Sequence, residues 1–230
     1  MKKKILWILF GFFSIIIGLY PLKYFLINGK VGIMNDKPEW LLNNLVWYIA
    51  FYIHIIFGGV ALLVGWLQFS SKLRSRNIKV HRLTGKIYVV SALFSSLSGF
   101  YIALFSDGGF WASLGFSCLG IIWFCTTLIA YLTVRKQQIG KHQLLMIYSY
   151  AACFAAVTLR IWLPILILVI GIYDTSYIIV AWLSWIPNLL VAYLITTKLT
   201  QKTIPKKSAK FLGNGLSTKF YPNFSKTLKK

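Results

Sequence analysis

Six long apolar segments, separated by short polar loops, dominate the pattern of hydrophobic and polar residues along the chain. A helix of about 20 apolar residues spans the hydrocarbon layer of a bilayer, and it satisfies its own backbone hydrogen bonds there. The pattern therefore predicts an all-α fold, a polytopic membrane helix bundle of about six transmembrane helices. The predicted helices cover residues 5–25, 45–69, 87–105, 113–134, 144–166 and 177–197.

Two of the six segments depart from a plain membrane helix. The first follows Lys2, Lys3 and Lys4 like a signal peptide, but it has no small-x-small cleavage site, so we expect a retained anchor. The apolar stretch of the fifth segment runs past Pro164 to Ile172. Because proline lacks the backbone donor of a helix interior, we expect a kink there, with the remainder re-entering the bilayer or lying at its interface.

The composition supports a membrane location and excludes a soluble globule. Hydrophobic residues make up 58% of the 230 residues and charged residues only 13%, against about a quarter charged in soluble domains. A net charge of +21 would indicate nucleic acid as the partner of a soluble protein, whereas here it predicts the lipid bilayer and no nucleic acid. The three cysteines lie in apolar runs without metal-ligand spacing, so we expect buried thiols and no metal site.

The basic residues are distributed unevenly between the two sides of the predicted bundle. If the N-terminus is inside, all but four of the 25 basic residues fall on that same side. The positive-inside rule makes that side cytoplasmic, so both termini are predicted to be cytoplasmic and the membrane to be the inner (plasma) membrane. The opposite side receives the four remaining basic residues and all four acids: Lys23, Lys30, Lys37, Arg160, Asp36, Glu39, Asp107 and Asp174.

The chain divides into a transmembrane domain, residues 1–197, and a basic cytoplasmic tail, residues 198–230. The tail carries nine lysines and no acid, interspersed with aromatic residues and prolines, so it is predicted to be disordered. Lysines near a membrane surface are attracted to anionic lipid headgroups at about 1 kcal/mol each. Two interpretations stay open: the tail binds anionic headgroups, or it is a solvated segment that only fixes the orientation.

Each of the three histidines heads a stripe of small or weakly polar residues along a predicted helix. The stripes appear on stepping by three and four residues, and large apolar residues occupy the neighbouring faces, so we expect the three stripes to face one another. Close packing in lipid explains the small residues but requires no histidine. The stripes are His54, Gly58, Ala61, Gly65 and Gln68; His81, Gly85, Tyr88, Ala92, Ser95 and Gly99; and His142, Met146, Ser149, Cys153, Ala156 and Arg160.

Depth separates the polar groups into two layers. A rise of 1.5 Å per residue places His54 about 22 Å and Arg160 about 27 Å from the cytoplasmic side, which makes them an outer layer. Arg160 is expected to snorkel outward, to pair with an acid such as Asp174, or to hold an anionic ligand. Asn188, after Pro187 in the sixth helix, is expected to bond between helices. The inner layer comprises His81, His142, Gln68 and the loop arginines Arg74 and Arg82.

Three motifs are fairly specific in combination. They are His54 followed by a small-residue helix, the sequence HRLTGKIY over residues 81–88, and His142 followed by AAVTLRIWLP over residues 155–164. Together they resemble a bacterial membrane protein family, domain of unknown function 2306, over about residues 45–165. The resemblance implies a multi-pass membrane fold and marks the histidines and the arginine of the third motif, without implying a reaction.

One part of the chain departs from the pattern of that family. Its members often have Trp-Met and then an arginine soon after the third histidine. Here Leu145 precedes Met146, and Tyr148 takes the basic place. Residue roles in the inner layer are therefore not carried over from the family.

Two classes of function are open for a membrane protein with this pattern, and whether it is an enzyme is undecided. The first is a haem- or quinone-linked redox protein, because imidazoles on facing helices are suitable axial ligands for b-type haem and arginines suit its propionates. His81 and His142, at similar depth, would be the ligand pair. The second is a small-solute or proton transporter, or a protein of membrane assembly or structure. The candidate cofactor-binding residues are His54, His81, His142, Arg160 and Arg82.

Overall fold

Helices make up almost all of the chain that the computed structural model describes, which comprises residues 2–27, 32–35 and 37–203. Within these ranges there are eleven α-helices and no strand, which confirms the predicted all-α fold. The helices are α1 (Lys2–Leu19), α2 (Lys23–Leu26), α3 (Glu39–Leu42), α4 (Leu45–Gly65), α5 (Ser71–Arg76), α6 (Ile78–Ala103), α7 (Gly109–Arg135), α8 (Ile139–Cys153), α9 (Ala155–Ile170), α10 (Tyr173–Leu183) and α11 (Ile186–Thr203).

Six helical segments in the described chain are long and apolar enough to cross a membrane, which confirms the predicted number of spans. Their outer faces are apolar: Leu26, Leu168 and Val169 have exposed fractions of 79%, 86% and 76%. Lipid tails are as apolar as these side chains, so the chain is an integral, multi-pass membrane protein. Cys125 is also exposed, and the prediction that all three thiols are buried is wrong for it. The spans are Lys4–Leu26, Leu45–Phe69, Ile78–Ala103, Gly109–Arg135, Ile139–Ile170 and Tyr173–Gln201.

The third span begins earlier than the hydropathy pattern predicts. Helix α6 starts at Ile78 and not at residue 87, because Asn77 caps it. The Asn77 side-chain oxygen accepts a hydrogen bond from the backbone N–H of Val80 at 3.1 Å, which satisfies one of the free donors of the first turn. His81 therefore lies inside a helix and not beside its loop.

The fifth span is helical to residue 170 and is interrupted at a single residue. Helix α8 ends at Cys153, the backbone turns at Phe154, and α9 continues through Pro164 to Ile170. The chain after Pro164 therefore continues the fifth helix and does not re-enter the bilayer as a separate segment, while a position of its end at the interface stays a prediction. Proline removes one intrahelical hydrogen bond, and in lipid the other backbone groups are satisfied only if the chain stays helical. Gly171, with a left-handed φ of 77°, ends the helix.

The sixth span consists of α10 and α11, which are separated just before Pro187. Proline is tolerated in the first turn of a helix, where its missing N–H has no intrahelical partner to lose. The neighbouring Asn188 donates from Nδ2 to the Ala151 carbonyl oxygen of α8 at 3.3 Å and to Thr158 Oγ1 of α9 at 3.1 Å. These bonds confirm the predicted helix-to-helix role of Asn188.

The glycines of the predicted stripes lie at contacts between helices. A Cβ atom added to Gly58 would lie 2.9 Å from Ser95 Oγ, and one added to Gly85 would lie 3.2 Å from Gln68 Oε1. Gly65 lies directly against two tyrosine rings of the core. The prediction that the stripes of the second and third spans face other helices is therefore confirmed.

The chain forms two units, residues 1–193 and 194–230. In the second unit, residues 194–203 continue α11 to Thr203, past the predicted end of the membrane domain at residue 197. Within this stretch Thr200 Oγ1 donates to the Thr196 carbonyl oxygen at 2.9 Å. Residues 204–230 lie outside the described chain, so the disorder and lipid binding of the tail stay predictions.

Candidate functional site

Polar side chains of the first unit collect near the two ends of the bundle. We call the side at which α1 begins the N-terminal side, which the sequence predicts to be cytoplasmic, and the other the opposite side. We distinguish an inner cluster near the N-terminal side, formed by His81, His142, Arg74 and Arg82, from an outer cluster toward the opposite side, formed by Tyr20, Lys23, Tyr24, His54 and Arg160.

His81 and His142 occupy matching positions in two helices. Each is the fourth residue of its helix, α6 or α8. Seven residues further along each helix, which is two turns, Tyr88 Oη and Ser149 Oγ form a buried hydrogen bond of 2.8 Å. The two helices therefore run in the same register from the N-terminal side, and the two histidines lie at the same level.

A hydrogen bond fixes the tautomer of His142. Its Nδ1 lies 2.8 Å from the Ala130 carbonyl oxygen of α7. A carbonyl oxygen only accepts, so Nδ1 carries a proton, and in the neutral ring Nε2 is the nitrogen with the lone pair. Histidines that ligate metals have this arrangement, in which the second ring nitrogen donates to a carbonyl or carboxylate. His81 differs, since its Nδ1 is buried and has no hydrogen-bond partner in the described chain.

Positive charge surrounds His81. Arg74 of α5 and Arg82 of α6 both act electrostatically on it, and their own side chains are exposed while His81 is half-buried. Gln68, which the sequence assigned to the same layer, donates from Nε2 to Thr84 Oγ1 at 2.6 Å and so ties the end of the second span to α6. The inner cluster thus combines two imidazoles with two guanidinium groups at the edge of the bundle.

A buried hydrogen-bond network, which the sequence did not predict, lies in the core of the bundle. Tyr88 Oη accepts from Trp123 Nε1 at 3.4 Å, and Ser149 Oγ is 2.6 Å from Thr127 Oγ1. The Tyr88–Ser149 bond joins these two pairs, so α6, α7 and α8 are connected through polar atoms. Tyr88 and Ser149 belong to the predicted stripes of His81 and His142, whereas no sequence signal distinguishes Trp123 and Thr127 from ordinary packing residues.

His54 of the outer cluster is fixed against α6. Its Nδ1 lies 2.8 Å from the Ser95 carbonyl oxygen, and Ser95 Oγ donates back to the His54 carbonyl oxygen at 2.9 Å. Gly99, one turn further, leaves room for the ring, because a Cβ atom there would lie 2.6 Å from Nδ1. Nδ1 therefore carries a proton, and in the neutral ring Nε2 is the nitrogen with the lone pair, as for His142.

Arg160 lies over the ring of Tyr20, with its guanidinium carbon 4.5 Å from the ring centroid. Its Nη1 donates to the Ala156 carbonyl oxygen of its own helix at 2.8 Å. Its charge interacts with His54, so the structure brings together the two residues that the sequence assigned to an outer layer. Asp174 does not pair with Arg160, and among the described residues no other acid does.

Lys23 meets the same tyrosine ring from the end of the first span. Its Nζ lies 3.9 Å from the Tyr20 centroid and 5.2 Å from that of Tyr24, and it also donates to Tyr20 Oη. The sequence placed Lys23 on the same side as Arg160 without connecting them. The sequence contains one usable signal, the spacing of three residues between Tyr20 and Lys23. Residues three apart on a helix are neighbours, so this spacing places the two side chains beside each other.

A buried ion pair joins two loops at the opposite side. Lys37 Nζ lies 2.7 Å from Asp107 Oδ1 and donates to the Phe105 carbonyl oxygen, also at 2.7 Å. Only 3% of the Lys37 side chain is exposed, against 23% for Asp107. The pair links the loop after the first span to the loop after the third, and neither loop contains a motif that would have indicated it.

The fold and these clusters define a polytopic α-helical membrane protein with ionisable groups toward both ends of its bundle. The chain belongs to the family described as predicted membrane protein DUF2306, whose model matches residues 51–196. The match extends beyond the expected limit near residue 165 and includes most of the sixth span. It contains all three histidines and Arg160, whereas Tyr20, Lys23 and Tyr24 precede it. Neither a curated protein nor a solved structure matches the chain.

The side chains that commonly bind metal ions are dispersed in the described chain. No group of three or more His, Cys, Asp or Glu residues lies close enough together there to hold a metal ion. The histidines are instead divided between the clusters, two in the inner and one in the outer.

Proposed function

We propose that the chain is a redox protein of the plasma membrane that binds b-type haem between His81 and His142. The observation that carries the proposal is the position of these two histidines at the same level of two helices that run in the same direction and are joined by the Tyr88–Ser149 hydrogen bond. Two imidazoles on facing helices can ligate the haem iron from opposite faces. The register set by Tyr88 and Ser149 supplies such a pair at one depth.

The hydrogen bond of His142 supports axial ligation. Only an unprotonated ring nitrogen binds a metal, and in a neutral ring the bond from Nδ1 to the Ala130 carbonyl makes Nε2 that nitrogen. The same bond restrains the ring, so a bound metal would meet an already oriented ligand. His81 Nδ1 has no partner in the described chain, so no hydrogen bond from that nitrogen would compete with ligation of a metal.

The arginines next to His81 fit the acidic groups of haem. Each propionate of haem is a carboxylate, and the planar guanidinium fork binds carboxylates with two parallel hydrogen bonds. Arg74 and Arg82 are exposed at the N-terminal side, where propionates reach water. With both axial positions filled by imidazole, the haem would carry single electrons, and we propose a membrane quinone as the electron partner because it shares the bilayer.

A visible spectrum of the full chain, purified in detergent and incubated with haemin, tests this proposal. We expect a Soret band shifted from that of free haemin and α and β bands on reduction with dithionite. His81→Ala and His142→Ala should each abolish the reduced bands, because each removes one axial ligand. His54→Ala is the matched control and should leave the spectrum unchanged, since His54 belongs to the outer cluster.

Two results would count against haem ligation by this pair. One is a chain that folds as judged by size-exclusion chromatography but gives only the spectrum of free haemin. The other is a bound spectrum that neither alanine substitution changes. The first result would favour transport or membrane assembly as the function.

We also propose that the tail, residues 198–230, binds anionic lipid headgroups, because nine lysines and no acid lie within it. A peptide of these residues should bind vesicles that contain phosphatidylglycerol and be released at about 1 M salt, where the Debye length falls to about 3 Å. Sedimentation with the vesicles measures both. Equal binding to neutral phosphatidylcholine vesicles would show that the lysines are not responsible.

A further inference from the structure

We propose that the outer cluster is a binding site for a phosphate group, with Arg160 and Lys23 as its charged ligands and Tyr20 as the residue that positions both. The site lies at the other end of the bundle from His81 and His142 and shares no residue with them. A test of phosphate binding is therefore independent of whether the chain binds haem.

Two cations converge on one aromatic ring. The Arg160 guanidinium carbon lies 4.5 Å and Lys23 Nζ 3.9 Å from the centroid of Tyr20. Each face of a ring attracts a cation, but two positive charges held by one ring also repel each other. The arrangement is stabilised when an anion lies between or beside them.

The described chain supplies no such anion. Its ion pair at this end joins Lys37 and Asp107, so that carboxylate is already paired. Arg160 has five N–H donors, of which one bonds to the Ala156 carbonyl and one to the Tyr20 side chain, while the Lys23 ammonium has three donors and shows one bond to Tyr20 Oη. Most of the donors of both cations therefore remain for a ligand.

The donors sit on restrained side chains. Arg160 is tied to the carbonyl of Ala156 in its own helix, and Tyr20 lies at the junction of α1 and the short helix that follows. His54, beside Arg160, is held by two hydrogen bonds to Ser95. A site whose groups are already oriented loses less conformational freedom on binding.

The combination of donors favours phosphate over a single carboxylate. A guanidinium fork, an ammonium and a phenol hydroxyl can together bind three oxygens of one tetrahedral anion, whereas a carboxylate offers two. Large apolar side chains flank the site on the lipid-facing surface, including Leu22, Phe25 and Leu26, whose exposed fractions are 51%, 57% and 79%. The phosphate can therefore belong to a lipid headgroup or be free in solution, and both present the same chemistry.

Native mass spectrometry of the full chain in neutral detergent, with phosphatidylglycerol or phosphatidylcholine added, tests the lipid source. A calorimetric titration with inorganic phosphate tests the free ion. We expect the wild-type chain to bind at least one of the two anionic probes. Arg160→Gln and Lys23→Gln should each weaken that binding roughly ten- to hundredfold, since each removes a charge-assisted bond.

Lys79→Gln is the matched control, because it removes one exposed positive charge at the N-terminal side. It should leave binding unchanged. Preference for phosphatidylglycerol over inorganic phosphate would assign the site to a lipid headgroup, and the reverse to the free ion. Tyr20→Phe keeps the ring and removes the hydroxyl, and it should also weaken binding. This variant provides the test if either charge variant fails to fold.

Three outcomes would overturn the proposal. The first is binding that Arg160→Gln and Lys23→Gln leave at the wild-type level. The second is an equal loss in Lys79→Gln, which would mean general attraction by net charge. The third is binding of the probes only after Asp36→Asn, a residue outside the described chain, because the protein would then supply its own anion.

Discussion

Replacing Lys37 by methionine is expected to destabilise the fold by about 3 kcal/mol and to lower the apparent midpoint of thermal unfolding by roughly 6–12 °C. The substitution removes both hydrogen bonds of the ammonium and leaves the Asp107 carboxylate without its cation. The Oδ2 atom of Asp107 is already buried without a partner in the described chain. The expected cost lies at the lower end for a buried pair because 23% of the Asp107 side chain reaches solvent.

Two further variants separate the ion pair from the side chain itself. Lys79→Met removes an exposed lysine of α6 and should shift the midpoint by less than about 2 °C. The double variant Lys37→Met/Asp107→Asn leaves no unpaired charge and should recover part of the loss. Tryptophan fluorescence during heating in detergent measures all three. A double variant as unstable as Lys37→Met would show that packing of the lysine stem, and not the charge, is what matters.

The ion pair also shows where inference from the sequence stops. Hydropathy determines which segments cross the bilayer, because lipid imposes length and composition on each helix separately. Lys37 and Asp107 lie in different loops, and their contact depends on how whole helices pack. No periodicity in either loop carries that information.

The two layers of histidines were predictable because they depend on positions within single helices and not on how whole helices pack. His54 and Arg160 lie on regular helices, so their depth follows from the rise per residue and their faces from the helical period. In the structure His81 and His142 lie at the same level of α6 and α8, and His54 and Arg160 both belong to the outer cluster. What helical geometry could not provide was the partner of each ring nitrogen, because Ser95 and Ala130 contribute backbone carbonyls, which every residue has.

Two helix limits were missed for identifiable physical reasons. The start of α6 at Ile78 follows from the side-chain cap of Asn77, a signal present in the sequence but outweighed by the charged residues that come after it. The continuation of α9 past Pro164 follows from the surrounding lipid, which makes any non-helical backbone costly. The rule that proline kinks or ends a helix describes water-soluble proteins, in which exposed backbone groups bond to solvent.

Leucine at Gly65 is expected to have the largest effect of any single substitution considered, at least about 3 kcal/mol of lost stability. A Cβ atom there would lie 2.6 Å from Tyr150 Cδ2 and 2.8 Å from Tyr88 Cδ2, closer than real contacts allow. Both rings are nearly fully buried and their hydroxyls are hydrogen-bonded, so neither can move without breaking a buried bond. We expect little folded protein on size-exclusion chromatography after extraction in detergent.

Gly140→Leu is the matched control for that substitution. Gly140 also lies in a helix, but nothing lies within 4 Å of the position of its Cβ atom, and leucine has the higher helix propensity. It should therefore leave the folded yield unchanged or slightly raised. Leu63→Ala, two residues from Gly65, should cost less than Gly65→Leu because Leu63 is only half-buried and lipid replaces part of its contacts. If Gly65→Leu folded as well as Gly140→Leu, the small-residue stripe of the second span would face lipid, and the close packing of α4 against α6 and α8 would be wrong.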